Sequence, residues 1–176
     1  MNKFIKLPLF LGVVGALCGG ILATTNYFTE PKIKADEDFR ANEAFLAHFE
    51  EAKKFSQEID LTDALTANGI TQKKYAYNDS NKYIGTIYSC TIAGFGGEIV
   101  FTVSFSNGDI NKFIATSYGG ESSGYGKDYI ENLQKNPGEY DVKPGVSMTS
   151  TPVNKTITGC LADYTSEYTS IPDFAA

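Results

Sequence analysis

Between residues 82 and 116 apolar and polar side chains alternate, and the alternation breaks at two places. From Lys82 to Ala93 the period of two puts Ile84, Thr86, Tyr88, Cys90 and Ile92 on one face. Ile99, Phe101, Val103 and Phe105 alternate in the same way, the pattern of a half-buried strand. Gly94-Phe95-Gly96-Gly97 separates these two runs. Asn107-Gly108 then separates the second run from Ile110 to Thr116, and an Asn-Gly pair between alternating runs predicts a tight hairpin. A short strand at Tyr75 to Tyr77 precedes the turn cluster Asn78-Asp79-Ser80-Asn81. Strands joined by such short turns predict an antiparallel β meander.

Helical spacing appears on both sides of this region. Ala41, Phe45, Phe49, Ala52, Phe55 and Ile59 recur every three or four residues, which predicts an amphipathic helix from about Asp36 to Gln57 packed on the sheet. Asp60 to Gly69 reads as a second, short helix with Leu61, Leu65 and Ala64 inward and Asn68-Gly69 at its end. Asp128 to Lys135 reads as a third, closed by Asn136-Pro137-Gly138. Val153, Ile157, Cys160 or Leu161, Tyr164 and Tyr168 make the apolar stripe of a last helix, with Ser150 as its N-cap, Pro152 in its first turn and Ser170 to Pro172 at its end. The fold class expected is α+β, an antiparallel meander packed by helices.

Ahead of these elements, Leu7 to Phe28 contains no charged residue, and these 22 residues are enough to cross a hydrocarbon core of about 30 Å as a helix. Tyr27 and Phe28 close the outer end, where aromatic rings suit the interface. Lys3 and Lys6 precede the span, and Lys32, Lys34 and Arg40 follow it. A cleaved signal peptide would use Ala23-Thr24-Thr25. A lipoprotein would use Cys18, but Leu17 before it fits poorly. A retained single-pass anchor fits best, with the N-terminus cytoplasmic and the soluble domain extracytoplasmic. The organisation expected is a tail at 1–6, an anchor at 7–28, a helical lead-in at 29–74 and a single domain at 75–176.

Composition narrows the function classes. The chain has 176 residues and a formal net charge of −6, which suits one domain plus an anchor and argues against nucleic acid as a partner. Lys53-Lys54 and Lys73-Lys74 read as solvated faces. His48 is the only histidine, so no Ser/His/Asp or Cys/His set can be assembled and no metal site is expected. No carboxylate pair stands out for acid–base work, and no catalytic residue is assigned. Cys90 and Cys160 both fall on apolar stripes, and either a bridge or simple burial accounts for them.

Two stretches carry candidate chemistry. Asp141 to Val153 reads as a glycine turn, a cluster of hydroxyls (Ser147, Thr149, Ser150, Thr151) and the start of a helix. Unpaired N–H groups and the dipole at a helix start suit a phosphate beside a serine hydroxyl; the same spacing also suits an ordinary capped helix. The second stretch is Glu121-Ser122-Ser123-Gly124-Tyr125-Gly126, a loop whose glycines allow close backbone approach to a ligand or a sharp bend at the surface.

In combination these stretches resemble the RnfG/NqrC FMN-binding family, electron-carrier subunits of membrane redox complexes. In that family an aspartate, two variable residues and a Ser/Thr-Gly-Ala-Ser/Thr tetrad lead into a Thr-Ser pair, and the last tetrad hydroxyl carries FMN through a phosphoester. Here these are Asp141, the tetrad Pro144-Gly145-Val146-Ser147, and Thr149-Ser150. Pro144 stands in place of a hydroxyl residue and Val146 in place of alanine. The 121–126 loop is similar to the family's Glu-Thr-Pro-Gly-Leu-Gly loop beside the flavin, with Tyr125 in place of leucine. Gly94-Phe95-Gly96-Gly97 matches a glycine-aromatic-glycine-glycine run, and Thr29-Glu30-Pro31-Lys32-Ile33 resembles the segment after the family's anchor.

The resemblance implies a membrane-anchored electron carrier with FMN as cofactor, covalent at Ser147 or held without a bond. The implied cofactor-binding residues are Ser147, Gly145, Val146, Met148, Thr149, Ser150, Glu121, Gly124 and Tyr125. Its implied partners are other redox-complex subunits or electron carriers, with a flavin transferase for maturation. It would serve in an ion-translocating oxidoreductase or as a solitary extracytoplasmic carrier. The rival reading is a cofactor-free, membrane-anchored surface protein that binds a partner on the same fold.

Overall fold

The structure is a computed structural model that describes residues 45–173, and Gly15 of the preceding segment. The chain divides into two units, Met1–Ala44 and Phe45–Ala176, and the fold described is that of the second. The expected anchor at 7–28 lies outside the described residues. Among the described residues no helix is long and apolar enough to cross a membrane.

The fold is α+β. Five strands, β1 (Lys54–Phe55), β2 (Ile70–Tyr77), β3 (Tyr83–Ala93), β4 (Glu98–Ser106) and β5 (Asp109–Ser117), pair antiparallel in sequence order. The alternation in 82–116 sets the register of the three long strands: Tyr88 pairs with Val103, and Val103 with Phe113. Asn107 and Gly108 take φ of 53° and 92°, so this two-residue hairpin has the left-handed pair of conformations that an Asn-Gly turn accommodates at little cost.

Among the described residues, α1 (Asp63–Ala67), α2 (Gly126–Lys135) and α3 (Ser147–Glu167) accompany the sheet. One face of the sheet buries Tyr88, Cys90, Phe101, Val103, Phe105 and Phe113 against Ile130 and Leu133 of α2 and Val153, Ile157, Cys160 and Tyr164 of α3. Each such side chain contributes roughly 1.5–3 kcal/mol. Phe105 and Tyr164 stack at 5.3 Å, and Tyr164 and Tyr168 at 5.0 Å, which ties the C-terminal half of α3 to β4. Cys90 and Cys160 are free thiols with their sulfurs 4.0 Å apart in the core. Burial pushes the Cys160 thiol's pKa well up, with the neighbouring Cys90 adding to it.

Several expectations are corrected. The helix expected to reach Gln57 does not: Phe45 and Leu46 are helical, residues 47–51 turn, and Lys54–Phe55 pair with Tyr77 and Ala76 at the sheet edge. The segment still buries Phe45 and Ala52, but it does so by wrapping the second face of the sheet. Gly85 leaves room there for the Phe49 ring, and Asn111 Nδ2 and Lys112 Nζ donate to the carbonyls of His48 and Ala47. The 29–74 lead-in is therefore not wholly helical: its described part contains β1, α1 and the start of β2. Ala64 is exposed while Leu65 is buried, because five residues complete little more than one turn and only one side chain reaches the core.

β2 begins five residues earlier than its apolar run suggests, because Lys73, 3 % exposed, is buried in the sheet with its charge paired. Lys73 Nζ lies 2.5 Å from both Asp163 Oδ2 and Glu167 Oε1 on α3, so the Lys73-Lys74 pair is not a solvated face. Finally, α3 starts at Ser147, one turn ahead of the expected N-cap Ser150. The Ser150 hydroxyl oxygen accepts from the Lys143 N–H at 3.0 Å, which ties it to the preceding turn. Pro152 is thus the sixth helical residue, beyond the first turn, and Met148 O has no N–H donor at that position.

Candidate functional site

The two stretches with candidate chemistry meet at the N-terminal end of α3. Gly145, φ 82°, makes the turn that leads into the helix. Val146 is the N-cap residue and offers no side-chain acceptor. The Thr149 and Ser150 N–H groups bond to the Val146 carbonyl at 3.0 and 2.8 Å. The Ser147 and Met148 N–H groups have no acceptor among the described residues. Ser147 is exposed and its hydroxyl makes no hydrogen bond among the described residues, so it is open to solvent and to chemistry.

A cavity of about 400 Å³ lies between this turn and the 121–126 loop, within the size range of small-molecule sites. Gly145, Val146, Ser147, Met148 and Thr149 line one side, and Glu121 and Tyr125 line the other. Two of the nine expected site residues stand back from it. Ser150 is fully buried behind the helix start, and Gly124, φ 80°, shapes the loop while its N–H donates to Asp128 Oδ1 at 3.0 Å. Ser122, Ser123, Gly126 and Phe95 also line the cavity, though none of them was among the expected residues. For Phe95 the available signal was its place inside a glycine run.

The rim is apolar and open to water. Phe95 and Met148 are each 64 % exposed and Tyr125 62 %. Three large apolar side chains around one mouth leave a patch that a flat ring or a partner surface would cover.

Glu121 lies at the base, 7 % exposed. Its Oε1 accepts from the Phe95 N–H at 2.8 Å, and its Oε2 accepts from the Thr149 hydroxyl. Thr149 therefore gives its hydroxyl hydrogen to Glu121, leaving the Ser147 and Met148 N–H groups as the donors for an anion. A Cβ at Gly94 or Gly126 would overlap the Glu121 carboxylate. These two glycines are the space into which the carboxylate fits.

His48 Nδ1 is 2.9 Å from Ser104 Oγ and its Nε2 is 2.7 Å from Thr102 Oγ1, on the far face of the sheet. Burial lowers its pKa to about 4, and the nearby Lys112 charge adds to the effect. A more open groove of about 950 Å³ near His48 and the 107–112 turn mixes Glu50, Glu51, Lys82, Lys112 and Lys135 without a convergent set. Among the described residues no group of three or more His, Cys, Asp or Glu side chains could hold a metal ion. No protein-family model matches this chain, and no curated protein matches it.

Proposed function

We propose that this protein is a membrane-anchored flavoprotein electron carrier that binds FMN through a phosphoester at Ser147. The observation that carries the proposal is the single cavity formed between the 145–149 turn and the 121–126 loop, with an unbonded, exposed Ser147 hydroxyl at its edge. The residues suit the group. The Ser147 and Met148 N–H groups, at the positive end of α3, would hold phosphate. Phe95, Tyr125 and Met148 would cover the isoalloxazine ring, and the glycines of both loops let the backbone come close to it.

FMN supplies the electron transfer, and the chain supplies attachment, orientation and partial exposure. Attachment joins Ser147 Oγ to phosphorus with loss of the hydroxyl hydrogen, so the adduct is FMN less one water. The donor is a flavin dinucleotide on a flavin transferase: its phosphoanhydride P–O bond breaks as the Ser147 O–P bond forms, and the other nucleoside monophosphate leaves with the serine proton. In this reading the domain is extracytoplasmic, held by the 7–28 span, and exchanges electrons with other subunits of an ion-translocating oxidoreductase or with a soluble carrier.

The second reading is a cofactor-free, membrane-anchored surface protein. The same exposed rim favours it, since Phe95, Tyr125 and Met148 could equally be covered by a protein partner. Intact mass of the denatured full-length chain, made with a flavin transferase and beside Ser147→Ala, separates the readings. A gain of FMN less water that Ser147→Ala abolishes is the expected result. Flavin released on denaturation would mean non-covalent FMN. No flavin in either fraction would leave the cofactor-free reading.

A further inference from the structure

The one buried carboxylate in the wall of this cavity joins three separate pieces of chain. Glu121 Oε1 takes the Phe95 N–H from the glycine loop between β3 and β4. Its Oε2 takes the hydroxyl of Thr149, the third residue of α3. Glu121 itself begins the loop that carries Tyr125. Both oxygens act as acceptors, which is the behaviour of an ionised carboxylate. A negative charge so placed meets the positive end of α3, where Val146 provides no cap. Gly94 and Gly126 have no Cβ where the carboxylate sits, so the backbone on both sides is shaped around it.

We propose that Glu121 is the positioning residue of the site: its carboxylate latches the Phe95 loop, the Tyr125 loop and the start of α3 together, and its charge lowers the reduction potential of the flavin held between them. The latch rests on these bonds alone, whereas the effect on potential rests on the FMN reading. Reduction adds electron density to the ring system, and a fixed negative charge buried at the base of the same cavity opposes it.

Glu121→Gln keeps the size of the side chain but replaces one acceptor oxygen by an N–H₂ donor, so it cannot accept from both Phe95 and Thr149. In the full-length chain in detergent, without cofactor, hydrogen–deuterium exchange over residues 94–97 should speed up about tenfold in Glu121→Gln, with the circular dichroism unchanged. Gly126→Ala, whose Cβ overlaps Glu121 Oε2, should give the same acceleration, and the double variant should add little. Wild-type exchange in both single variants would overturn the latch. Should Glu121→Gln fail to fold, Gly126→Ala alone decides it.

With FMN loaded, the midpoint potential of Glu121→Gln should lie above that of the wild type. An unchanged potential at full FMN occupancy would overturn the charge role. A wild-type chain that takes up no FMN from a transferase or from free FMN would overturn the flavin reading and the charge role with it. The exchange experiment would still decide the latch.

Discussion

Gly96 and Gly120 meet backbone to backbone, and a Cβ on either would run into the carbonyl of the other. Through this contact the loop that carries Phe95 lies directly on the loop that carries Glu121 and Tyr125. Replacement by alanine must push the two loops apart. Gly96→Ala and Gly120→Ala should each cost about 1–3 kcal/mol in urea denaturation, the range for forced overpacking. Gly119→Ala is the control, since a Cβ there has nothing within 4 Å, and it should stay within about 0.5 kcal/mol of wild type. Equal effects at Gly119 and Gly120 would refute the account.

His48 fixes a pH dependence of stability. Its pKa lies at about 4 in the folded chain, against 6.5 ordinarily. The unfolded chain therefore binds more protons between those values, and stability rises with pH across them. The contribution is fully present above pH 6.5 and is lost as pH falls towards 4. The loss amounts to about 3 kcal/mol once the pH is below both values. His48→Asn keeps hydrogen-bonding capacity towards Thr102 and Ser104 but does not titrate. Its stability, followed by denaturant titration from pH 7 to pH 4, should fall less steeply than that of the wild type.

Lys73 is buried between two carboxylates and two phenols. Tyr88 donates to Asp163 Oδ2 at 2.7 Å and Tyr75 to Glu167 Oε1 at 3.1 Å, so the lysine charge balances the α3 end of the network. Lys73→Ala leaves those carboxylates without their cation and should cost about 3 kcal/mol by chemical denaturation. Adding Asp163→Asn and Glu167→Gln to it should recover part of that loss. No recovery in the triple variant would show that packing around the lysine stem, not charge, carries the cost.

The strands were legible because their physics is local. Side chains on β3, β4 and β5 alternate between a core face and a second face, and a period of two is visible in the sequence itself. The Asn107-Gly108 turn was legible for the same reason, since its left-handed backbone needs those residue types. The segment around 45–57 misled because buried residues three or four apart also arise where a turning chain wraps a flat sheet. Phe45, Phe49 and Ala52 keep the spacing of a helix while the backbone leaves it after Leu46. Lys73 hid the start of β2 because its partners Asp163 and Glu167 lie 90 or more residues further along the chain.

At the site, local residue pattern was enough to name the pieces: a glycine turn, a serine at a helix start and a glycine loop opened by a glutamate. The glycines are needed locally, for the left-handed backbone at Gly124 and Gly145. Tertiary structure alone decided that these pieces share one cavity, that Phe95 joins its rim, and that Thr149 serves Glu121. It also decided that Ser150 ties down the Lys143 turn in place of capping the helix. Such pairings are made by loops brought together when the helices close on the sheet. Contacts between residues 95, 121 and 149 leave no periodic trace in the chain, because each depends on the packing of elements far apart in sequence.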